Sequence, residues 1–345
     1  MTEKRFLSER SETQGATMPA WRNETYGPAS GFRRQQIAVR TPGPGEVLLR
    51  VHATALNAGD VRLMLGDPLL VRPIFGLTKP KNPVRGMDVA GTIVAVGDGV
   101  ADASPGDEVV VELPGGGGLA EYAVAPAARL VVRPVEVSVA QAACLPIAGG
   151  TAWQALDAAR IAPAEQPQRV LIIGASGGVG TFAVQLAALR GAEIWATCGE
   201  RNRALVEELG AARVLDHRTA PLAGLPAAHF DAVIDIAGGI PLRALQRLVR
   251  DGGTVVLVTG DGGHVLGPIP RMLKAAVLSV GSRRRIRSLA ATPKPAVVRE
   301  LLALVAAGSL RSVIEREYPF AEASAALAHV EAGHTVGKVV VLGAP

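Results

Sequence analysis

The chain has 345 residues, of which 48% are hydrophobic and 19% charged, and 40 are glycines. This length exceeds what one hydrophobic core ordinarily fills, so the composition predicts a well-buried globular protein of two domains. The formal charge of +5 arises from 36 basic and 31 acidic residues, and aromatic residues make up only 3%. We therefore expect no nucleic-acid partner, because neither a dominant positive charge nor aromatic stacking platforms are available.

No segment has the pattern of a secretory signal or a membrane span. Residues 1–17 are polar and mixed in charge, which predicts a disordered extension. Gly, Pro or a charged residue interrupts every apolar stretch before it reaches transmembrane length. Cys144 and Cys198 are too few for a disulfide framework or a four-thiolate zinc lobe. We expect a cytoplasmic protein with reduced thiols and no membrane partner.

The first part of the chain has the pattern of a β-rich domain, in which short apolar runs alternate with Gly and Pro turns. The predicted strands are Glu46–His52, Val89–Val96, Glu108–Val111 and Ala120–Val124. Near residue 140 the pattern changes, and strands alternate with helices, as in a parallel sheet built from βαβ units. These strands are Arg169–Ile173, Glu193–Cys198, Asp231–Ile236 and Thr254–Val258. Helices over 297–307 and 321–332 and a strand over 338–342 complete the chain.

A glycine-rich turn follows the strand Arg169–Ile173 and precedes an amphipathic helix over 179–190. Such a turn brings backbone close to a pyrophosphate and aims the N–H groups of a helix N-terminus at the phosphates. A tight turn that binds nothing is the alternative, but the strand, helix and next strand provide the expected context. The predicted cofactor-binding residues of this turn are Ala175, Ser176, Gly177, Gly178, Val179 and Gly180.

The residues at the end of Glu193–Cys198, the second strand of the predicted parallel sheet, bear on the choice between NADPH and NADH. NAD-specific domains usually place a carboxylate there to hold the ribose 2′-hydroxyl, whereas this chain has Cys198 followed by Gly199. Arg201 and His217 are candidates to pair with a 2′-phosphate. Glu200 would repel that phosphate if its side chain turned inward. We predict a preference for NADPH over NADH.

Several segments, taken in order, resemble the medium-chain dehydrogenase/reductase superfamily and, within it, the zinc-free quinone oxidoreductases. They are Asn82–Gly97, Gly106–Val109, Gly118–Tyr122, Leu145–Trp153, Arg169–Asp216 and Gly333–Val341. The resemblance implies an α/β fold with a GroES-like β-barrel catalytic domain, residues 18–140 and 288–345. A Rossmann domain with a doubly wound parallel sheet, residues 141–287, would bind NADP. It also implies a homodimer, which an edge strand of the Rossmann sheet commonly forms in such enzymes.

The positions that match the catalytic zinc ligands of related alcohol dehydrogenases are Asn57, Met87 and Ile147. A thioether and an alkyl group cannot replace those ligands, and an Asn amide is a poor one, so we expect no metal. Hydride transfer then suits an already electrophilic acceptor, a small apolar quinone or α,β-unsaturated carbonyl. A zinc-free alcohol or carbonyl dehydrogenase and a non-catalytic NADPH-binding protein remain open.

The resemblance assigns roles to further residues. Asn57 would contact nicotinamide or substrate, or else serve as a turn residue that bonds its own backbone. Tyr122 is a candidate proton donor whose surroundings also suit packing in the barrel. Thr151 is similar to a cofactor-contacting Thr of the family, or it caps a helix. Lys338 either reaches the cofactor or is a solvated strand residue.

Two further features of the sequence suggest binding sites, the residues after two strands of the parallel sheet and a run of arginines. The residues that follow the third and fourth strands would line the nicotinamide pocket, or would form plain strand-end turns, and they are Gly238, Gly239, Val258 and Thr259. The densest basic run is Arg283–Arg287. It is either a solvated loop or helix face, or a docking site for an acidic substrate group or carrier protein.

Overall fold

The computed structural model describes residues 15–220, 222–258 and 262–345. These residues form two compact units, one comprising the described residues up to Ile147 together with Pro293–Pro345, the other Ala148–Thr292. Residues 1–14 of the predicted extension lie outside the described residues. Thr17, the last residue of that extension, instead begins a strand, because its backbone pairs with Ala38 of the neighbouring strand.

The first unit is built on strands that are buried at most of their positions, as β3 and β4 show. Its strands in this part of the chain are β1 (Thr17–Arg22), β2 (Arg33–Ala38), β3 (Glu46–Leu56), β4 (Asp88–Val96), β5 (Glu108–Glu112), β6 (Tyr122–Pro126) and β7 (Val131–Val132). Its helices are α1 (Ala58–Leu65), α2 (Arg72–Phe75) and α3 (Val139–Ala143). The four strands predicted in this region are confirmed, with β3 extending four residues further than expected.

The second unit contains a six-stranded parallel sheet within the described residues, in the order β10-β9-β8-β11-β12-β13. The strands are β8 (Arg169–Ile173), β9 (Glu193–Cys198), β10 (Arg213–Asp216), β11 (Phe230–Asp235), β12 (Val249–Leu257) and β13 (Arg285–Ser288). The helices are α4 (Gly150–Ala158), α5 (Gly178–Leu189), α6 (Arg203–Glu208), α7 (Leu242–Leu248) and α8 (Ile269–Ser279). This order reverses between β8 and β11, as in a doubly wound dinucleotide-binding sheet.

The chain then returns to the first unit through α9 (Pro295–Ala306), β14 (Ile314–Tyr318), α10 (Ala323–Glu331) and β15 (Lys338–Leu342). Strand β15 pairs antiparallel with the carboxyl-terminal half of β3, and β6 pairs with its amino-terminal half. The opposite edge of β3 pairs with β4. The return strand therefore completes the barrel around β3. None of the helices in the described parts of the chain is long and apolar enough to cross a membrane.

The second half of the basic run Arg283–Arg287 forms the edge strand β13, whereas Arg283 and Arg284 lie in the bend that precedes it. Arg285 and Arg287 pair with Thr254 and Val256 of β12. Arg284 forms an ion pair with Asp251 at 3.0 Å. A basic sequence can form an edge strand because one side of the strand faces solvent, where charged side chains are favourable.

Candidate active site

A cavity of about 360 Å³ lies in the second unit at the carboxyl ends of β8 and β11, where the strand order reverses. Ligands of open α/β sheets bind in this position. Of the predicted cofactor-binding residues, Ser176, Cys198, His217 and Gly238 line the cavity. The structure therefore brings together residues from four separate segments of the sequence.

Glycine is required at two positions of the turn that precedes α5. Gly174 has φ +86°, a backbone conformation that L side chains rarely adopt. A Cβ at Gly180 would lie 2.2 Å from the carbonyl oxygen of Gly174 and 2.7 Å from backbone atoms of Ala175. By contrast, a Cβ at Gly177 would meet no atom closer than 3.7 Å. Gly180 thus packs the helix against the turn, and Gly177 leaves the space above the helix N-terminus open.

The other predicted cofactor-binding residues of this unit that are placed here do not line the cavity. Ala175 is fully buried, and Gly178 and Val179 belong to the first turn of α5. Gly239 follows Gly238 with φ +77°. The backbone N–H of Val258 donates to the carbonyl of Asp235. Thr259 lies outside the described residues.

The carboxylate of Glu200, close to Cys198 in the sequence, is paired with a neighbouring arginine. Both of its carboxylate oxygens accept hydrogen bonds from Arg203, each at 2.8 Å. These hydrogen bonds lower the pKa of Glu200. Burial raises the pKa of the Cys198 thiol to about 11, so this side chain is a neutral thiol at neutral pH. Arg201 is exposed and does not belong to the cavity wall described above.

Asp235 organises the loop that follows β11, although sequence reasoning did not single it out. Its Oδ1 accepts from the backbone N–H of Gly238 at 2.9 Å, and its Oδ2 forms an ion pair with Arg271 of α8 at 3.1 Å. Asp235 is only 1% exposed. A carboxylate that ends a buried apolar strand was the available signal, because such a charge must be paired.

A second polar cluster lies in the first unit, at the carboxyl end of β3. Asn57, Asp60, Asp88 and Lys338 are all buried. The Lys338 ammonium donates to the carbonyl of Leu56 at 2.9 Å and to Asn57 Oδ1 at 2.5 Å. The Asn57 amide donates from Nδ2 to Asp88 Oδ2 at 2.9 Å and to the carbonyl of Ala55 at 3.2 Å. Lys338 is therefore not a solvated strand residue.

Asp60 joins this cluster from the first turn of α1. Its Oδ2 accepts from the backbone N–H of Asn57 at 2.9 Å, and its Oδ1 accepts from that of Gly86 at 2.8 Å. Burial raises the pKa of Asp60, against the opposing effect of these two hydrogen bonds. Asp60 thus fixes the backbone of Asn57 at the start of the helix.

Asp88 is a second fully buried carboxyl group of the cluster. Burial raises the pKa of Asp88 to about 8, although the charge of Lys338 at 3.9 Å and the hydrogen bond from Asn57 oppose that rise. The neighbouring carboxylates Glu112 and Asp60 raise it further. Oδ2 also accepts from the backbone N–H of Ile147 at 3.3 Å, while Oδ1 is buried and has no hydrogen-bond partner among the described residues.

Tyr122 does not meet Asn57. It begins β6 and pairs with Arg50 of β3, whereas Asn57 follows the last residue of that strand. At about 3.3 Å per residue, the two positions are roughly 20 Å apart along the strand. Tyr122 packs against the apolar clusters of the barrel. Its position therefore agrees with the packing alternative.

Thr151 lies in α4, which begins at Gly150, and Gly149 occupies the cap position. Thr151 is therefore not the helix cap. It is partly buried, and α4 packs against α5.

The groups at positions 57, 87 and 147 do not fit a zinc ion. The Asn57 amide is committed to Lys338 and Asp88, and the side chains of Met87 and Ile147 offer a thioether and an alkyl group. Within residues 15–220, 222–258 and 262–345, no group of three or more His, Cys, Asp and Glu side chains is arranged to hold a metal ion. An ammonium beside Asn57 would also repel a divalent cation.

Comparison with known proteins identifies the family. Residues 43–135 match the family described as "Alcohol dehydrogenase GroES-like domain", and residues 209–341 match "Zinc-binding dehydrogenase". The chain is 38% identical over 336 residues to the "Chloroplast envelope quinone oxidoreductase homolog" of Arabidopsis thaliana, covering 95% of this chain and 99% of that protein. The chain belongs to the medium-chain dehydrogenase/reductase superfamily, in its quinone oxidoreductase-like group.

Two further similarities agree with this assignment. The "2-methylene-furan-3-one reductase" of Solanum lycopersicum is 30% identical over 338 residues, covering 94% of this chain and 79% of that protein. The structure of the quinone oxidoreductase from Coxiella burnetii superimposes with a TM-score of 0.84 at 27% identity, covering 95% of this chain and 99% of the other. The predicted GroES-like and Rossmann-type folds are confirmed, and the protein is an NAD(P)H-binding oxidoreductase.

Replacing Gly180 should damage the nucleotide site of this quinone oxidoreductase-like protein. In Gly180→Ala the new methyl group would overlap the Gly174 carbonyl, at a cost of about 1–3 kcal/mol in unfolding free energy. We expect a lower melting temperature and weaker NADPH binding by calorimetry. Gly224→Ala is the matched control, because a Cβ there meets nothing within 4 Å. Equal nucleotide affinity in the two variants would contradict this role.

The buried carboxyl group of Asp88 should make the free energy of unfolding decrease as the pH rises. Its pKa in the folded protein, about 8, exceeds the ordinary value of 3.8, so the folded state retains a proton that the unfolded state releases. The contribution of Asp88 is therefore complete below pH 4 and is lost as the pH rises to 8. We expect the unfolding free energy of the wild type, relative to Asp88→Asn, to fall between pH 5 and pH 8 in urea titrations. A pH-independent difference would show that Asp88 is ionised in both states.

Proposed function

We propose that this protein is a zinc-independent, NADPH-dependent reductase that transfers hydride to a quinone or an α,β-unsaturated carbonyl. The observation that carries the proposal is the cluster at positions 57, 88 and 338. Asn57, at one of the positions that match metal ligands, donates to Asp88 and accepts from Lys338, so its amide is already engaged. Polarising an isolated ketone without a Lewis acid is difficult, so an acceptor that is already electrophilic is favoured.

The corner of the nucleotide cavity near Cys198 supports the choice of NADPH. A neutral thiol stands where a carboxylate would bind the ribose 2′-hydroxyl, and Arg203 neutralises Glu200. His217 lines the same cavity and forms a 3.8 Å contact with Asp216. A 2′-phosphate would therefore meet neutral or cationic groups rather than an unpaired carboxylate.

The protein's own residues would act mainly by binding and orientation. The turn from Gly174 to Gly180 and the N-terminus of α5 would hold the pyrophosphate. Asp235 would keep the Gly238 loop in place for the nicotinamide half. When bound, NADPH supplies the hydride. Proximity and orientation alone contribute about 7–11 kcal/mol to such a transfer. The relatives from Arabidopsis and tomato, a chloroplast envelope quinone oxidoreductase homolog and a 2-methylene-furan-3-one reductase, support these substrate classes.

A homodimer is part of the proposal. Strand β13 is an edge of its sheet within the described residues, where Ser279 Oγ bonds the backbone N–H and the carbonyl of Ile286. The neighbouring α8 segment exposes apolar side chains, with Leu273 64%, Val277 71% and Val280 83% exposed. A second copy could cover these side chains. Sedimentation equilibrium tests it, and a monomer at all concentrations would contradict it.

The activity itself is tested by following NADPH and NADH oxidation with quinones, cyclic enones and simple ketones, with products identified by NMR. We expect hydroquinones and saturated ketones, and no alcohol from simple ketones. Treatment with a chelator should leave the rate unchanged. Alcohol formation, or loss of activity on chelation, would contradict the zinc-independent mechanism. Tight NADPH binding without turnover of any acceptor would contradict catalysis.

Cys198→Asp should reverse the nucleotide preference. A carboxylate there would repel a 2′-phosphate by roughly 4 kcal/mol at 4 Å and an effective dielectric constant of 20. We expect the KM for NADPH to rise at least about tenfold, a small part of that repulsion, while the KM for NADH falls or stays the same. Cys198→Ser is the neutral control of similar size. An unchanged ratio of the two KM values would place the 2′-phosphate elsewhere.

A further inference from the structure

The second unit contains another cavity, separate from the nucleotide cavity, with a volume of about 580 Å³. Three arginines from distant segments line it, Arg160, Arg283 and Arg285, together with Asp251, Thr254 and Ser282. None of these residues lines the nucleotide cavity. We propose that this arginine cavity binds a sugar phosphate or a similarly polar organic phosphate through its guanidinium groups.

The arginine cavity lies toward the amino ends of the parallel strands, whereas the nucleotide cavity lies at their carboxyl ends. Arg285 is the first residue of β13 and pairs with Thr254 of β12. Leu257, three residues after Thr254, is the last residue of β12. At about 3.3 Å per residue, Thr254 is thus roughly 10 Å from the carboxyl edge of the sheet. The proposal therefore concerns a second site and does not depend on the proposed reductase activity.

The alternation of side chains along the strands places the arginine cavity and α8 on opposite faces of the sheet. Ile286 and Val255 pack with Ala275 of α8 in one hydrophobic cluster. Successive side chains of a strand point to opposite faces, so Arg285 and Thr254 point away from α8. The surface of α8 that we propose for the homodimer is therefore not part of this cavity.

The guanidinium groups of the cavity outnumber the carboxylates available to them. Among the described residues that line it, Asp251 alone carries a carboxylate. Its Oδ1 already pairs with Arg284 at 3.0 Å, and its Oδ2 lies 4.0 Å from Arg283. The side chains of Arg160 and Arg285 form no ion pair or hydrogen bond with any described residue. The lining thus has three positive charges and one negative charge, which an anion with two charges would balance.

Hydrogen bonds fix the backbone that carries two of the three arginines. The N–H of Gly252 donates to the carbonyl of Arg283 at 3.0 Å, and Gln246 Nε2 donates to the carbonyl of Arg284 at 2.7 Å. Pairing with β12 then holds Arg285. Because this backbone is already ordered, a ligand has to order only the side chains, which favours binding.

Two lining residues have polar groups or a conformation that the unit itself does not explain. Arg160 follows the end of α4 with φ +62°, a left-handed conformation that glycine adopts far more readily. Thr254 is only 4% exposed, and its hydroxyl makes no hydrogen bond within the part of the chain that the structure describes. A buried hydroxyl ordinarily has a partner. A ligand in the cavity would provide partners for the Arg160 guanidinium and the Thr254 hydroxyl.

Phosphate is the anion that this arrangement favours. A guanidinium presents paired N–H donors that match two phosphate oxygens, and a phosphate monoester offers three terminal oxygens and up to two negative charges. A volume of about 580 Å³ is that of a pocket for an organic ligand rather than for a single ion. The described lining includes no large apolar side chain, so the rest of the ligand should be polar.

Binding of glucose 6-phosphate, inorganic phosphate and glucose to the full chain by calorimetry tests the proposal. We expect saturable binding of glucose 6-phosphate, at least about threefold weaker binding of inorganic phosphate, and no binding of glucose. Arg160→Gly and Arg285→Gln should each weaken glucose 6-phosphate binding about tenfold or more, as for loss of a charge-assisted hydrogen bond. Arg243→Gln, which changes an exposed arginine of α7 outside the cavity, is the control and should bind as the wild type does.

Two variants separate a role in ligand binding from a role in the fold. Glycine suits the left-handed conformation at position 160, so Arg160→Gly should not lower the melting temperature although it weakens binding. Arg285→Lys keeps the charge but loses the paired donors, so its affinity should lie between those of the wild type and Arg285→Gln. An Arg160→Gly variant with the affinity of the wild type would overturn the proposal.

The same titrations with NADPH present show which cavity is occupied. We expect an unchanged affinity for glucose 6-phosphate, because the two cavities share no lining residue. Displacement of NADPH would place the sugar phosphate in the nucleotide cavity and would overturn the proposal. So would equal affinities for inorganic phosphate and glucose 6-phosphate, or tighter binding of poly-L-glutamate, which would indicate a docking site for an acidic protein. Absence of saturable glucose 6-phosphate binding to the wild type would also refute it, whether or not the protein reduces any acceptor.

Discussion

The Lys338 ammonium is buried beside β3, and a charge in that position persists only when acceptors surround it. The carbonyl of Leu56, the oxygen of Asn57 and the carboxylate of Asp88 meet this requirement. Those three groups lie on one short stretch of β3 and on the start of β4. Pairing of this charge fixes the orientation of the Asn57 amide and opposes the rise in the pKa of Asp88 that burial causes.

The nucleotide site depends on a different constraint, the close approach of the first turn of α5 to the backbone that follows β8. Gly180 lies so close to the Gly174 carbonyl that no side chain fits between them. This contact joins α5 to the end of β8 and directs the helix N-terminus into the cavity. Asp235 provides the corresponding anchor on the other side of the strand-order reversal, through Gly238 and Arg271. Two interactions therefore fix the backbone around the cavity. One is the close packing of Gly180 against Gly174, and the other is the pairing of Asp235 with Gly238 and Arg271.

Local patterns were sufficient to predict the strands that are buried on both faces. Strands β8 and β9 were predicted to the residue, because a continuous apolar run bounded by turns has few other interpretations. Strand β13 was missed, since Arg285 and Arg287 lack the apolar character of a central strand. Helix α8 was also missed, although its sequence is amphipathic, and several of its apolar side chains are exposed. An edge strand such as β13 depends on pairing with distant residues, which local sequence does not record.

The sequence by itself determined the two-part organisation, the glycine-rich turn after β8, the absence of a carboxylate at position 198 and the residue types at positions 57, 87 and 147, which do not suit a zinc ion. Each of these follows from residue identity or from spacing along one segment. Only the tertiary structure decided that Lys338 is buried against Asn57 and that Tyr122 pairs with Arg50, away from the carboxyl end of β3. These outcomes depend on strand register and side-chain orientation, because a hydrogen bond requires two groups to meet within about 3 Å. No pattern within a single segment specifies that distance.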